Sequence, residues 1–330
     1  MKVLLTGGFG CIGLCTLEKL INNRHKVRIF DIKSKENEKK AKKMAKGAEI
    51  FWGSVSNRED VESALKDIDL VIHLAFLMPP NSEKDPNNSW NINIGGTKNL
   101  TDAMRRMEKK PKIIFTSSVS VYGRTQHQPP PRNKHDELKP TDNYSHHKVA
   151  CEQLVKISGL KWSIFRLGAV LSFSLTELNP MLFSVPLDTR IEIVHPQDVA
   201  EAFTNAVDNE KVWNKVLLIG GGEGCRLYQK EFVERVMDAT GVGMLPQVAF
   251  GIRPFYTDWL QTDESQKLLN YQKHNLDDFT SEIKKKLGLK RHFIKIFSPA
   301  IRYFLLRRSP YLKKGKPKNN FNKKPGISHI

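Results

Sequence analysis

The chain has 330 residues, 39% of them apolar, so it is long enough to bury the core of one large domain or of two smaller ones. Its formal charge of +18 is concentrated in residues 284–330, which hold 15 Lys or Arg and no Asp or Glu and leave +3 for the rest. No apolar run approaches the roughly 18 to 20 residues of a membrane-spanning helix, and the first apolar run is too short for a secretory signal. A cytoplasmic protein is therefore expected.

The cysteines point the same way. They show neither metal-ligand spacing nor the density of a disulfide scaffold, and they stand at Cys11, Cys15, Cys151 and Cys225. We expect reduced thiols in the protein core. No metal site is expected either, because the adjacent His146 and His147 point to different helix faces and have no Cys or carboxylate at ligand spacing.

Short apolar runs alternate along the chain with longer stretches of helical period. "KVLLT" predicts a first strand, and "CIGLCTLEKLINN" predicts the helix that follows it. The strand pattern recurs in "KVRIFD", "AEIFWG", "DLVIHLAF", "KIIFTSS" and "WSIFRLGAVL", separated by helix-like stretches such as "GGTKNLTDAMRRM". This alternation predicts an α/β fold, a Rossmann-type doubly wound parallel sheet, with a small C-terminal substrate-binding region.

The first predicted turn, "TGGFGCIG", is rich in glycine. Its spacing fits G-x-G-x-x-G at Gly8, Gly10 and Gly13, or G-x-x-G-x-x-G starting at Gly7. Glycine permits a tight turn and a close approach of the backbone to a pyrophosphate, which the N–H groups near Cys11 and Ile12 would bind at the helix N-terminus. A glycine-rich turn without a ligand is the alternative.

Asp31 ends the second predicted strand, 18 residues after Gly13. A carboxylate about 20 residues past such glycines binds the adenosine ribose hydroxyls of a dinucleotide and repels a 2′-phosphate. The predicted cofactor is therefore NAD.

A tyrosine and a lysine four residues apart, Tyr144 and Lys148, begin the helix after the fifth predicted strand. Alone, the pair could equally lie on a solvated helix face. Because Ser118 follows the fifth strand, and ligands bind at the carboxyl ends of such strands, we expect all three side chains to converge beside the nicotinamide.

These stretches together resemble the extended short-chain dehydrogenase/reductases, the NAD-dependent epimerase/dehydratase family. The resemblance covers residues 1 to about 240 in the family's order. It rests on "TGGFGCIG", Asp31, "HLAF" at 73–76, "NINIGGTKNL" at 91–100, "TSSVSVYG", "YSHHK", "RLGAVL" and "VHPQDVAEAF" at 194–203.

The resemblance implies a Tyr-Lys-Ser mechanism. Tyr144 would take a proton from a substrate hydroxyl, Lys148 would hold the cofactor ribose and lower the tyrosine pKa, and Ser118 would hydrogen-bond the reacting oxygen. It also implies further cofactor contacts at Ser54, Val55, Leu74, Ala75 and Phe76. Ser54 stands where the family usually has Asp, which weakens the expected contact with adenine.

The reaction is less determined by the sequence. Thr116 is followed by two serines and a valine rather than by the acidic pair of family dehydratases. A sugar-nucleotide epimerase-like enzyme is our first hypothesis, although residues 172–193 are much shorter than the insertion that binds the nucleotide in typical nucleotide-sugar epimerases. A hydroxysteroid- or dihydroflavonol-type reductase of an apolar alcohol or ketone is the second, and a non-catalytic NAD-binding module is the third.

We expect an NAD-binding domain over 1–171, with 188–220 returning to it, and a small substrate-binding region. That region comprises 172–187 and 221–285, and a basic amphipathic tail follows over 286–330.

The tail predicts a peripheral contact with the inner face of a membrane. In residues 291–316, a predicted apolar face is interrupted by Pro299 and comprises Phe293, Ile294, Ile296, Phe297, Ile301, Phe304, Leu305 and Leu306. Lys and Arg on the remaining positions suit an anionic bilayer, and nucleic acid is disfavoured because it would leave the clustered Phe, Leu and Ile with no role beyond packing. A helix docked on the body, followed by a disordered charged end, is the alternative, and a homodimer is left open.

Overall fold

The computed structural model describes residues 1–172 and 183–312. Its strands are β1 (Lys2–Thr6), β2 (Lys26–Asp31), β3 (Glu49–Trp52), β4 (Leu70–His73), β5 (Lys112–Ser118), β6 (Trp162–Leu167), β7 (Ala169–Val170), β8 (Arg190–Val194), β9 (Lys215–Ile219) and β10 (Arg226–Tyr228). Within the described residues, seven strands form one parallel sheet in the order β3-β2-β1-β4-β5-β6-β9. The remaining three form a small sheet in the order β10-β8-β7.

Helices cover both faces of the large sheet, which confirms the predicted doubly wound α/β plan. They are α1 (Cys11–Asn22), α2 (Lys35–Met44), α3 (Arg58–Ala64), α4 (Asn81–Lys84), α5 (Pro86–Trp90), α6 (Gly96–Arg106), α7 (Asn143–Lys156), α8 (Pro196–Val207), α9 (Gln229–Thr240), α10 (Asp263–Leu269), α11 (Leu276–Leu287), α12 (Lys290–Ile296) and α13 (Ser298–Arg308). A π-helical turn over Asn91–Gly95 leads into α6.

The core follows from the alternation of side chains along each strand. In β1, Leu5 packs into an apolar cluster with Leu17 of α1 and Phe203 of α8. The neighbouring Leu4 packs into a second cluster on the opposite face, with Leu100 of α6 and Val155 of α7. The buried side chains on both faces hold the sheet rigidly between the two helix layers.

The strand order reverses between β1 and β4, because the chain runs outward through β2 and β3 and then returns to the other side of β1. The turns after β1 and β4 consequently meet at the carboxyl edge of the sheet. Open α/β sheets bind ligands in the crevice at such a reversal. The glycine-rich turn lies here.

The small sheet and helices α9, α11, α12 and α13 form a second packed region, whereas α10 packs against α8 and β9. Its two apolar clusters join Ile191 and Leu227 of the small sheet to α9 and α11, and join α9 to α13. Strand β8 pairs with β7 and β10, although it lies within the stretch 188–220 expected to return to the large sheet. After β8, α8 packs against α1 and β9 joins the large sheet.

The single apolar face predicted for the tail is wrong. Two short helices, α12 and α13, meet at Phe297, with Pro299 in the first turn of the second. Ile294, Ile301, Leu305 and Leu306 pack against the body, whereas Phe293, Ile296, Phe297 and Phe304 are exposed. The helical period therefore divides the apolar residues between two faces. Among the described residues, no helix is long and apolar enough to span a membrane.

Candidate active site

The glycine-rich turn has a backbone shape that only glycine can adopt. Gly7 has a φ of +66°, and a Cβ there would lie 2.8 Å from the Ala75 nitrogen. A Cβ on Gly13 would lie 2.6 Å from the carbonyl oxygens of Gly7 and Gly8. Each glycine thus lets two backbone segments touch, as the predicted close approach requires.

Helix α1 begins at this turn with its N-terminus uncapped. Gly10 is the N-cap residue, no side chain accepts from the first turn, and that turn holds no acidic residue. The N–H groups of Cys11 and Ile12 belong to the set that an α-helix leaves without an internal partner. The open end of the helix therefore fits the negative charge of a dinucleotide diphosphate.

Asp31 lies beside the same turn, at the end of β2. Its carboxylate accepts the Phe9 N–H at 3.0 Å and the Ile32 N–H at 2.8 Å. Burial raises the pKa of Asp31, while these backbone N–H groups and the nearby Lys40 act to lower it. Lys40, which also donates to the Phe9 carbonyl at 3.1 Å, was not identified from the sequence.

The stretch after β4 forms the opposite wall of the crevice. The Thr6 hydroxyl accepts the N–H groups of Leu74 and Ala75 at 3.2 and 3.1 Å. The Phe76 ring lies edge-on to the Tyr144 ring, with their centroids 5.6 Å apart. The turn that follows β1, the stretch that follows β4 and the start of α7 therefore lie together.

The residues expected near adenine have other structural partners. The Ser54 N–H donates to Asp60 at 2.9 Å, so Asp60 supplies a carboxylate beside the position where the family's Asp is replaced. The Val55 side chain is buried against Gly96. Contacts of Ser54 and Val55 with the cofactor stay predictions.

Two carboxylates fix the start of α7. Asp142 is the N-cap residue and forms a capping box with Ser145. The Glu83 carboxylate accepts the N–H groups of Asn143 and Tyr144, both at 3.2 Å. These contacts hold Tyr144 in the first helical turn, with Lys148 one turn further along the same face.

Lys148 is buried beneath this turn. Its ammonium nitrogen donates to the Thr116 carbonyl at 2.6 Å and lies 3.5 Å from the centroid of the Phe76 ring. Burial lowers the pKa of Lys148 to about 7. The same nitrogen lies 5.6 Å from the Tyr144 ring centroid. The Thr116 hydroxyl is buried there without a partner in the described part of the chain.

Tyr144 does not have the lowered pKa that we expected from its lysine neighbour. Burial raises the pKa of the Tyr144 phenol to about 12, the Ser118 hydroxyl acts to lower it, and Asp142 acts to raise it. Lys148 is turned to the Thr116 carbonyl, so its charge does not offset the burial. Ser118 is nonetheless close enough to Tyr144 to hydrogen-bond it, and the three predicted side chains converge.

A second tyrosine near the site was missed by the sequence analysis. The environment of the Tyr256 phenol raises its pKa, first through burial and then through Asp142, Glu83 and Tyr144. The helix-start pattern could have identified Asp142 as a cap. Nothing in the local sequence could have identified Tyr256, because it reaches the site from more than a hundred residues along the chain.

Two histidines, His73 and His195, make structural contacts. His73 is buried between the hydroxyls of Thr6 and Thr97, at 2.8 and 3.1 Å, and burial lowers its pKa to about 3. His195 accepts the Gln197 N–H at the start of α8. In the described ranges, no group of three or more His, Cys, Asp or Glu could hold a metal ion.

The expectation of core cysteines is wrong at one position. Cys11 is exposed and Cys15 is partly exposed, whereas Cys151 and Cys225 are buried. Cys11 is exposed because it begins a helix at the open edge of the sheet.

Three curated relatives match between half and about two thirds of the chain. A putative UDP-glucose 4-epimerase of Methanocaldococcus jannaschii is 28% identical over 67% of this chain and 77% of its own length. An uncharacterised protein of Sinorhizobium fredii is 28% identical over 60% of this chain, and the UDP-glucose 4-epimerase of Bacillus subtilis is 29% identical over 50%. The chain spans about half the length of these last two relatives, 51% and 50%.

Solved structures share the fold over a longer range. A UDP-glucuronic acid 4-epimerase from Bacillus cereus, in complex with UDP-glucuronic acid and NAD, has a TM-score of 0.73 and 20% identity, covering 87% of this chain and 100% of that one. A UDP-glucose 4-epimerase from Bifidobacterium longum, in complex with NAD+ and UDP, has a TM-score of 0.72 and 20% identity, covering 87% and 98%. The model of one family matches residues 3–220, and the chain therefore belongs to the NAD dependent epimerase/dehydratase family, whose members are NAD-dependent enzymes.

Proposed function

We propose that the protein transfers hydride between a secondary alcohol of a nucleotide sugar and NAD, in the manner of a 4-epimerase. The observation that carries the proposal is the convergence of Ser118, Tyr144 and Lys148 at the carboxyl edge of the sheet. A proton acceptor, a cation and a hydroxyl meet there beside the glycine-rich turn. A structural helix start has no need of all three.

The residues present fit NAD. The uncapped start of α1 would hold the diphosphate, Asp31 would accept the adenosine ribose hydroxyls, and Lys148 would hold the nicotinamide ribose. When bound, NAD would supply the hydride acceptor and, in its oxidised form, a positive charge that favours the phenolate of Tyr144.

Tyr144 would perform the proton transfer. As the substrate C–H bond breaks and its electron pair leaves as hydride, the phenolate takes the hydroxyl proton and a carbonyl forms. Ser118 would hydrogen-bond the oxygen on which charge changes. For epimerisation, the same hydride returns to the opposite face of the carbonyl, and Tyr144 gives the proton back, so the overall reaction is redox-neutral.

Lys148 would provide the charge that this step needs. Burial lowers the pKa of Lys148 to about 7, and a cofactor ribose that replaces the Thr116 carbonyl as its partner would move its nitrogen nearer the phenol. A charged Lys148 facing Tyr144 would then lower the phenol pKa, which burial raises to about 12 in its absence.

A nucleotide sugar is the substrate class supported by the similarity to UDP-glucose 4-epimerases. The short stretch 172–193, which argued for a smaller apolar substrate, falls partly on 173–182, outside the described residues. The site itself carries Ser117 and Ser118 where a dehydratase would need acidic residues. The Ser117 hydroxyl donates to the Glu152 carboxylate at 2.6 Å. We assign substrate binding to 172–187 and 221–285, as the sequence suggested.

The test combines two assays on the purified protein. Dinucleotide released on denaturation is identified by mass, and UDP-glucose, UDP-glucuronic acid and an apolar ketone are each offered as substrate. Retained NAD with interconversion of a UDP-sugar at C4 supports the proposal. Reduction of the ketone alone supports the apolar-substrate reductase, and bound NAD without turnover of any substrate supports a non-catalytic module.

A further inference from the structure

The tail helices present an unexplained apolar surface. We define the outer face as Leu289, Phe293, Ile296, Phe297, Tyr303 and Phe304, whose exposed fractions run from 51% to 80%. Leu289, Phe293 and Ile296 recur at intervals of four and three, the spacing of one helix face, and Tyr303 and Phe304 are neighbours on α13. The face is separate from the docked residues of α12 and α13, so packing on the body does not account for it.

The helices that carry the outer face are fixed to the body. The Arg291 guanidinium donates to the carbonyls of Asp238 and Ala239 at 3.1 and 3.0 Å. The Ser309 hydroxyl donates to the Ala249 carbonyl at 2.6 Å. With Leu305 buried between these anchors, the outer face is held in a fixed orientation toward solvent.

Cations accompany the outer face. Exposed basic residues lie along the same helices and just before them, at Lys284, Lys285, Lys286, Lys290, Lys295, Arg307 and Arg308. The Arg307 guanidinium lies 5.8 Å from the Tyr303 ring centroid, and that of Arg308 lies 4.3 Å from Phe304. No Asp or Glu occurs between 284 and 330.

We propose that the outer face binds the surface of an anionic lipid bilayer. Aromatic and aliphatic side chains would enter the boundary between headgroups and acyl chains, while the flanking cations would meet anionic headgroups. A second copy of the chain is disfavoured, because a two-fold interface would place these cations against their own copies. Nucleic acid would neutralise the cations but leave the six apolar side chains in water.

Vesicle co-sedimentation of the full chain tests this proposal. The vesicles contain phosphatidylcholine alone or with about one third phosphatidylserine, since each basic residue near an anionic surface strengthens binding about fivefold. The chain should pellet with the anionic vesicles at low salt and stay in solution with the neutral ones. At about 1 M salt, where charges are screened beyond about 3 Å, binding should fall at least tenfold.

Matched variants separate the two contributions. Phe293→Ser with Phe297→Ser should weaken binding to anionic vesicles at least about tenfold, because both rings would enter the lipid boundary. The control is Met44→Ser with Ile157→Ser, at positions 50% and 75% exposed on the large domain, which should bind as the unmodified chain does.

A charge-reversal pair completes the test. Arg307→Glu with Arg308→Glu should weaken binding about as strongly, whereas Lys42→Glu with Lys43→Glu, on α2, should not. All eight positions are exposed, and thermal melts confirm that each variant folds. Failure of the full chain to pellet with anionic vesicles would overturn the proposal. Equal losses of vesicle binding in the tail variants and in their controls would also overturn it. So would a dimer that dissociates only in the tail variants, if the chain does not bind vesicles.

Discussion

The active-site edge and the tail helices both depend on basic side chains, but they place them in opposite environments. Lys148 is buried among aromatic rings, and its pKa falls to about 7. The lysines and arginines of 284–308 lie mostly in water, from which they act on other charges at a distance. Burial thus suits a lysine for proton chemistry, and exposure suits it for attracting an anionic surface.

The tyrosines show the same division. Tyr144 is partly buried, and burial raises the pKa of its phenol to about 12 and makes its proton depend on the charges around it. Tyr303, in the tail, is 64% exposed and pairs with an arginine across one helical turn. Substitutions at the two kinds of position should therefore fail in different assays.

The largest expected effect comes from removing the proton-transfer group of the site. Tyr144→Phe should reduce turnover by about 10³-fold or more while changing NAD affinity less than threefold, because only the hydroxyl is lost. Steady-state kinetics and a binding titration measure the two quantities. Tyr303→Phe, at a 64% exposed position on α13, is the control. Retention of a tenth of the original rate would exclude Tyr144 as the base.

The next effect concerns the hydroxyl partner of that tyrosine. Ser118→Ala should lower kcat about 100-fold, since it removes one hydrogen bond from the reacting oxygen. Ser120→Ala, which removes only a hydroxyl that donates to Ser118 at 3.1 Å, should cost much less. Equal losses in the two variants would mean that Ser118 acts through the local turn rather than on the substrate.

A third prediction compares buried and exposed lysines directly. The folded-state pKa of Lys148 lies below its unfolded value of 10.5, so the unfolded chain binds the extra proton between about pH 7 and 10.5 and stability rises with pH there. Through Lys148, the free energy of unfolding should increase by about 2 kcal/mol from pH 7 to pH 9. Chemical denaturation of the NAD-free protein at both pH values should show it.

Lys148→Met should remove this rise and stabilise the NAD-free protein at pH 7, whereas Lys290→Met, at an exposed position, should leave the pH dependence unchanged. An unaltered pH dependence in Lys148→Met would show that Lys148 is charged in the folded protein.

The smallest expected effect lies at the far end of the cofactor. Asp31→Ala should lower the ratio of the NADP dissociation constant to the NAD dissociation constant about tenfold. A ribose hydroxyl of NAD loses a charged acceptor, and the repulsion of a 2′-phosphate disappears. Lys40, beside Asp31, remains to favour the phosphate. Asp208→Ala is the control, and equal affinities for the two dinucleotides in the unmodified protein would contradict the role of Asp31.

Local sequence signals were sufficient for the sheet and for the crevice. The apolar strands and the glycine turn follow from local rules, and the alternation of strands and helices predicts a doubly wound parallel sheet. The orientation of Lys148 did not follow, because its contact with the Thr116 carbonyl depends on how α7 packs on β5. Tyr256 and Glu83 reach the site from distant segments, and a helical period alone could not show that two apolar faces divide the tail.

The central claim is that hydride passes from the substrate to the bound cofactor and back. Deuterium on C4 of UDP-glucose tests it most directly. After turnover by the NAD-loaded protein in ordinary water, nuclear magnetic resonance locates the label in substrate and product. The account predicts that the product keeps deuterium at C4, since the hydride returns from the cofactor without meeting solvent. Exchange of the label for solvent hydrogen during turnover would contradict it.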